Sequence, residues 1–313
     1  MQQSILVTGA SGFVGSHVVA ALGGDYRVIA ASRRAASGLV AVPTTVLPDL
    51  SNPIEWRPLI EDVGIVIHLA GIAHTRAADT DRYQRVNTRA TAQLAQAVAE
   101  SRSTKLIFLS SISAQVGRYC NHLVTENDEP RPVGAYGQSK LEAEAAIRTS
   151  GARYTILRPV LIGGVGVKGN LAALVRAARS PLPIPCAGLN AKRSLLSIGN
   201  LLSAIRLSIN DRRSDGATFV VADQQPLSVA EIITALRAAV GRQPGIFRFP
   251  SWMISTSLTA LNMQHVWDSI GRPLVVETAG LGKLDWHPSF DTHQTLADMM
   301  IAAAGGARAA NRI

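Results

Sequence analysis

Cysteine is scarce: Cys120 and Cys186 are the only two among 313 residues, too few for a disulfide framework or a multi-cysteine zinc site. The seven histidines show no HExxH-type spacing, so no metal is expected. Long apolar runs are missing as well. The longest mainly apolar stretch, Trp252 to Met263, contains Ser, Thr and Asn and falls short of the ~20 residues that span a bilayer; it reads as a buried helix. Met1-Gln2-Gln3 leads directly into Ile5-Leu6-Val7 without a basic region or a cleavage site, the pattern expected of a cytoplasmic protein. Blocks of basic charge are also absent. The 31 Lys and Arg outnumber the 22 Asp and Glu, for a formal net charge of +9. They nevertheless stand singly or in pairs such as Arg33-Arg34, Lys192-Arg193 and Arg212-Arg213. This argues against a nucleic-acid partner and suits a basic surface or a site for an anionic ligand.

With 47% apolar and 17% charged residues the chain is globular and long enough for a sizeable core. Short apolar runs at Ile5–Thr8, Arg27–Ala31, Ile65–Leu69, Leu106–Ser110 and Tyr154–Leu157 are predicted strands. Amphipathic stretches separate most of them, including a helix from about Thr80 to Glu100 and another from beyond Pro132 to about Ser150. Strand and helix alternating at this spacing predict an α/β fold with a doubly wound parallel sheet. Beyond about Pro159 the pattern loosens into Gly- and Pro-rich loops with helices near Leu171–Arg179, Asn200–Ile209 and Val229–Val240. A dinucleotide-type domain over 1–160 and a smaller substrate domain over 161–313 are expected, with some segments returning to the first.

Thr8-Gly9-Ala10-Ser11-Gly12-Phe13-Val14-Gly15 follows the first strand and opens the first helix, the context in which a glycine trio binds a pyrophosphate. Gly9 makes the tight turn, Gly12 admits the phosphates, and Gly15 permits close helix–sheet packing. The second strand leads into Ser32-Arg33-Arg34, where an NAD site usually presents a carboxylate to the ribose 2′-hydroxyl. Two guanidiniums instead suit a 2′-phosphate, so NADP is expected in preference to NAD.

Tyr136-Gly137-Gln138-Ser139-Lys140 places a phenol and an ammonium four residues apart on one helix face. A tyrosine near its ordinary pKa of about 10 is a poor acid–base catalyst at neutral pH, and a neighbouring cation stabilises its phenolate. Ser111, at the end of the Leu106–Ser110 strand, supplies a third hydroxyl, with Ser113 as its rival in the same turn.

TGxxGxxG, a serine-ended strand and YxxxK in this order resemble the extended short-chain dehydrogenase/reductases, and within them the nucleotide-sugar 4-epimerases and 4-ketoreductases. Further matching segments are His68-Leu69-Ala70-Gly71, Val86-Asn87-Thr88, Arg158-Pro159 and Asp49-Leu50, the last resembling an adenine-contacting pair. The resemblance implies a Rossmann-type fold and a cofactor site built from Gly9, Gly12, Phe13, Val14, Gly15, Ser32, Arg33, Arg34, Asp49, Leu50, Leu69, Ala70, Gly71, Asn87, Tyr136, Lys140 and Pro159. It implies catalysis by Ser111, Tyr136 and Lys140, and a homodimer. Val167-Lys168-Gly169-Asn170-Leu171 and Lys192-Arg193-Ser194-Leu195-Leu196 resemble the segments that contact a UDP pyrophosphate. Asn170 and Arg193, with Ser111 and Ser113, are thus the implied substrate contacts. The implied reaction is reduction of a UDP-4-keto-6-deoxy-(N-acetyl)hexosamine, with a 4-epimerase or a non-catalytic dinucleotide-binding protein as alternatives. A 4,6-dehydratase is disfavoured, because Ile112 and Ser113 stand where an acidic pair belongs and no Asp or Glu occurs between residues 106 and 125. The family's RPxxxYGPG reads here Arg158-Pro159-Val160-Leu161-Ile162-Gly163-Gly164-Val165-Gly166, without the tyrosine and proline beside the sugar site.

Overall fold

The computed structural model describes residues 2–33, 42–73, 80–101 and 103–310. Seven parallel strands form the main sheet in the order β3-β2-β1-β4-β5-β6-β9. They are β1 (Ser4–Thr8), β2 (Arg27–Ser32), β3 (Thr44–Val46), β4 (Ile65–His68), β5 (Lys105–Leu109), β6 (Arg153–Pro159) and β9 (Ala217–Val221). A separate parallel pair joins β7 (Leu161–Gly163) to β8 (Leu195–Ser197). The chain order reverses at β1 and β4, so a crevice opens beyond their carboxyl ends, the usual ligand position in such sheets.

The central strands are near-continuous apolar runs because both sheet faces are covered. Ile5, Leu6 and Val7 are inaccessible to solvent, as are Ile65, Val66 and Ile67. One face carries α1 (Phe13–Leu22) and α7 (Ile198–Asn210), which pack with Val18, Leu22, Leu201 and Ile205. The other carries α2 (Arg57–Ile60), α4 (Ala90–Ser101) and α5 (Gly134–Thr149), packed through Ile60, Leu94, Val98 and Ile147. A third apolar cluster forms around α6 (Gly169–Arg179), α8 (Val229–Ala238) and α12 (Thr292–Ala310). Shorter helices α3 (Thr80–Tyr83), α9 (Ser251–Ala260), α10 (Gln264–Ile270) and α11 (Ala279–Gly282) complete the chain.

Two expectations need correction. The stretch read as a buried helix is α9, and it contains no buried residue: Trp252 is 68% exposed. Its apolar composition does not place it in the core. The helix from Thr80 is not a uniform α-helix, because Gln84–Arg89 widens into a π turn between α3 and α4. Beyond Pro159 the chain also supplies β9, which pairs with β6 along the main sheet, Thr155 to Pro159 opposite Ala217 to Val221.

One long-range tie joins β5 to the α7–β9 connection. The Lys105 ammonium, 2% exposed, donates to the Ser208 carbonyl (2.6 Å) and Ser214 Oγ (2.9 Å) and meets Asp215 at 2.5 Å. Removing one partner of a buried ion pair leaves the other charge uncompensated. Lys105→Met is therefore expected to lower the free energy of unfolding by about 3 kcal/mol, measured by urea denaturation; an unchanged midpoint would show that this tie contributes nothing.

Candidate active site

The turn after β1 is shaped by close approach. Gly9 has φ +73°, and a Cβ there would lie 2.8 Å from the Ala70 nitrogen. A Cβ on Gly15 would overlap the Gly9 carbonyl oxygen. The Gly12 N–H donates to that same carbonyl (2.9 Å), and Gly12 caps α1. The helix then opens with the N–H groups of Phe13, Val14 and Gly15, which have no acceptor within the helix, and its first turn carries no acidic side chain. A glycine-lined cradle against a positive helix end fits the pyrophosphate of a dinucleotide.

At the end of β2, Ser32 is buried and Arg33 exposed, while Arg34 lies outside the described residues. Asp49 accepts bonds from Ser51 N and Oγ (3.0 and 2.6 Å), which hold its carboxyl below the usual range, and the Arg33 charge adds to this. Leu50 is buried beside it. At the end of β4, Leu69 N donates to the Thr8 carbonyl (3.2 Å) and Ala70 N to Thr8 Oγ1 (3.3 Å). Thr8 Oγ1 also meets His68 Nδ1 at 2.7 Å, and His68 Nε2 meets Thr91 Oγ1 at 3.1 Å. Burial first, and the Lys140 charge second, push His68 down to about 3, so the ring is neutral and joins β1, β4 and α4. Both ring nitrogens of His68 are thus held by threonine hydroxyls, each of which can donate or accept.

Asn87 explains the π turn. Its Oδ1 accepts from Ile72 N (2.9 Å), and its Nδ2 donates to Ile72 O (3.0 Å) and Ser139 Oγ (3.1 Å). Drawing this side chain out to Ile72 and α5 opens the helix by one residue. Gly71 sits in the resulting angle, where a Cβ would meet Asn87 Oδ1 at 3.0 Å and Lys140 Nζ at 3.6 Å.

Ser111, Tyr136 and Lys140 come together at the carboxyl end of β5. Ser111 is extended (φ −161°, ψ 152°), and its Oγ accepts from Ser113 N (3.1 Å). Gly137 lets α5 approach, since a Cβ there would overlap the Ser113 carbonyl oxygen. The Tyr136 hydroxyl is hydrogen-bonded to Ser111, which opposes the upward push of burial and of nearby Tyr83 on its pKa; the net shift is upward. The Tyr83 and Tyr136 rings are 6.0 Å apart. Lys140 donates to the Leu109 carbonyl (2.9 Å) and lies 4.5 Å from the Phe108 ring centroid. Burial draws its ammonium down to about 8 against the opposing Glu144 carboxylate. Lys140 thus faces Gly71 and the end of β5. A serine hydroxyl, a phenol and a cation in one crevice can hold a substrate oxygen and move a proton to or from it. Pro159 ends β6 and is buried.

Of the implied substrate contacts, Ser111 and Ser113 belong to this group, while Asn170 and Arg193 stand on other elements. Asn170 is exposed in the first turn of α6. Arg193 spends three N–H groups on backbone carbonyls: Asp268 (3.2 Å), Arg272 (2.7 Å) and Arg118 (2.8 Å). Burial, with Arg118 adding and Asp268 opposing, pulls its pKa down to about 10. It fastens the loop after Ser111 to α10, and two N–H groups remain for other partners.

Residues 5–222 match the model of the NAD dependent epimerase/dehydratase family. The chain is 30% identical over 304 residues to a UDP-glucose 4-epimerase of Vibrio cholerae, covering 92% of each chain. It is 27% identical over 306 residues to a ceramide reductase of Caulobacter vibrioides, covering 91% of this chain and 86% of that one. In fold it resembles MoeE5, solved in complex with UDP-glucose and NAD, with a TM-score of 0.76 at 22% identity over 97% of this chain and 99% of that one.

Tyr136→Phe is expected to lower turnover by on the order of 10²–10⁴ while dinucleotide affinity stays within a few-fold; wild-type turnover would remove Tyr136 from the chemistry. Lys140 generates a pH prediction. Its folded-state pKa, about 8, lies below the unfolded value of 10.5. The unfolded chain therefore binds more protons between these values, and stability from this group rises with pH across that window. Lys140→Met should flatten the rise in urea midpoint between pH 8 and 10. An unaltered slope would contradict the assignment.

Proposed function

The chain belongs to the NAD dependent epimerase/dehydratase family, and on that premise we propose that it reduces C4 of a UDP-4-keto-6-deoxy-(N-acetyl)hexosamine in polysaccharide precursor synthesis, with NADPH as reductant. The observation that carries this reading is the juxtaposition of Ser111, Tyr136 and Lys140 beside the glycine cradle. The Vibrio relative, a UDP-glucose 4-epimerase by name, supports a UDP-linked sugar, and MoeE5 holds UDP-glucose together with NAD. The reducing direction is supported by the end of β2, where Ser32-Arg33 offers a cation and no carboxylate.

A dinucleotide held by the glycine cradle would supply a hydride for C4 when bound. Ser111 Oγ holds the C4 oxygen, and Tyr136 releases its hydroxyl proton to that oxygen as negative charge develops there. Lys140 provides positive charge that favours the resulting phenolate, which regains its proton from solvent. Ser113 contributes its backbone N–H to fix the Ser111 hydroxyl. Asn170 and the two remaining N–H groups of Arg193 stand as candidates for the diphosphate. Because Arg193 also fastens α10, Arg193→Leu is expected to affect stability as well as KM.

A second reading, 4-epimerisation with tightly held NAD, is favoured by the 30% identity to the Vibrio enzyme. It uses the same three groups twice, removing and then returning a hydride on opposite faces of C4. Two titrations and one assay separate the readings. Arg33→Ala should weaken NADPH at least tenfold and NADH within about twofold, the loss of one charge-assisted contact. The wild type should oxidise NADPH when given the 4-keto substrate. Equal weakening of both cofactors, together with interconversion of UDP-glucose and UDP-galactose without added cofactor, would replace the reductase by the epimerase.

A further inference from the structure

No helix among the described residues is long and apolar enough to cross a membrane, yet one surface of the C-terminal region lacks the features of a face turned to water. Residues 249–264 carry no charged side chain, and neither α9 nor α10 buries a residue. A helix on an aqueous surface normally presents a charged face opposite its apolar one. Here Ile254 and Trp267 pack one edge of the pair against the third core cluster. The rest shows Trp252 and Leu261, 68% and 67% exposed, with Met253 and Met263 less so. The neighbouring segment adds to this surface. Backbone bonds between Ile184 and Gly245 (3.0 Å) and between Phe247 and Ile184 (3.0 Å) bring exposed Leu182 and Phe247 alongside.

Three hydroxyls of these helices bond back onto their own helix. Thr256 donates to the Trp252 carbonyl (2.8 Å), Thr259 to Ser255 (2.9 Å) and Ser269 to His265 (2.9 Å). Hydroxyls bonded back onto their own helix can leave water without orphaning a donor. Apart from Asp268 on α10, which is paired with Arg272 (3.5 Å), the charge around the surface is positive. No Asp or Glu occurs between residues 164 and 210 or between 232 and 267. Arg176, Arg179 and Arg248 are exposed and in no ion pair among the described residues. Arg237 and Arg242 anchor the base from beneath, bonding carbonyls from Ala178 to Leu182.

We propose that α9, α10 and the 180–187 and 244–250 segments form a docking surface for an anionic lipid bilayer: Trp252, Leu261 and their apolar neighbours enter the headgroup boundary, and Arg176, Arg179 and Arg248 meet lipid phosphates. Tryptophan beside apolar side chains with basic residues at the margin is the composition that binds at such an interface. A second copy of this chain fits less well, because a twofold contact through this face sets Arg176, Arg179 and Arg248 against their own copies, while the carboxylate of Asp268 on α10 is already engaged by Arg272 and Gln264. The surface is tied to the loop that follows Ser111. Arg193 bonds α10 to the Arg118 carbonyl, and Cys120 N donates to Pro273 O (2.9 Å), so α10 and the residues after it brace the loop joining Ser111 to Tyr136. Docking would hold that loop at the bilayer surface.

Co-sedimentation of the full chain with vesicles tests this. The wild type is expected to pellet with vesicles containing phosphatidylglycerol, to remain in the supernatant with pure phosphatidylcholine, and to be released by high salt. Trp252→Ser with Leu261→Ser should weaken binding at least tenfold with dinucleotide affinity unchanged. Arg176→Glu with Arg179→Glu and Arg248→Glu, which leave the apolar surface intact, should do the same. Wild-type protein that stays in solution with anionic vesicles, or either variant binding as the wild type does, overturns the proposal. So does a dimer in solution that dissociates on substituting Trp252 while no vesicle binding is seen, since the face would then belong to a second copy.

Discussion

The buried carboxylate of Glu144 is the contact on which the site most depends. It is inaccessible to solvent, four residues beyond Lys140 on α5, and its oxygens are fully engaged. Arg158 of β6 grips it with two donors (2.9 and 2.5 Å), Ser110 just beyond β5 donates at 2.6 Å and Arg148 at 2.8 Å. An ion pair this deep is costly unless its geometry is good and every remaining group is bonded. Arg158 meets that condition by donating also to Gln115 Oε1 (2.9 Å), whose amide bonds the carbonyls of Thr125 and Asp128. One network thus fixes three things: the end of β5 that bears Ser111, the helix that bears Tyr136 and Lys140, and the loop between them. Preorganisation of this kind is what proton transfer at a defined atom requires.

A second set of ties sets the cofactor side of the crevice. Thr8, His68 and Thr91 link β1 through β4 to α4, and Asn87 links the end of β4 to α5. Because the histidine is neutral throughout the working range, this linkage is indifferent to pH. The crevice floor is held by neutral hydrogen bonds and close glycine contacts, and the titrating groups sit at its reacting end. On the proposed reading, such a division would keep the glycine turn constant while Tyr136 and Lys140 change charge.

Much of this was legible in the residues themselves. The five expected strands of the first half form within a residue or two of their predicted ends, because each is a buried apolar run with a helix on either side. The glycine turn was legible because φ +73° and backbone overlap leave only glycine there. What could not be read depended on distant partners. Glu144 and Arg158 lie 14 residues apart on different elements, and nothing local marks either as buried. β3, β7 and β8 are three residues each, too short to show a period. The π turn arises from where Asn87 reaches. α9 failed for the opposite reason: its apolar composition was plain, but composition does not say whether a helix faces the core or something outside the chain.

The central claim is that Ser111, Tyr136 and Lys140 assist hydride delivery to C4 from a reductant that is consumed. The most direct measurement is the fate of deuterium placed on the nicotinamide of NADPH, read in the sugar product by mass spectrometry and NMR. Stoichiometric label at C4, lost with Tyr136→Phe while NADPH still binds, is the predicted result. Product formed without label, and without oxidation of NADPH, would contradict it.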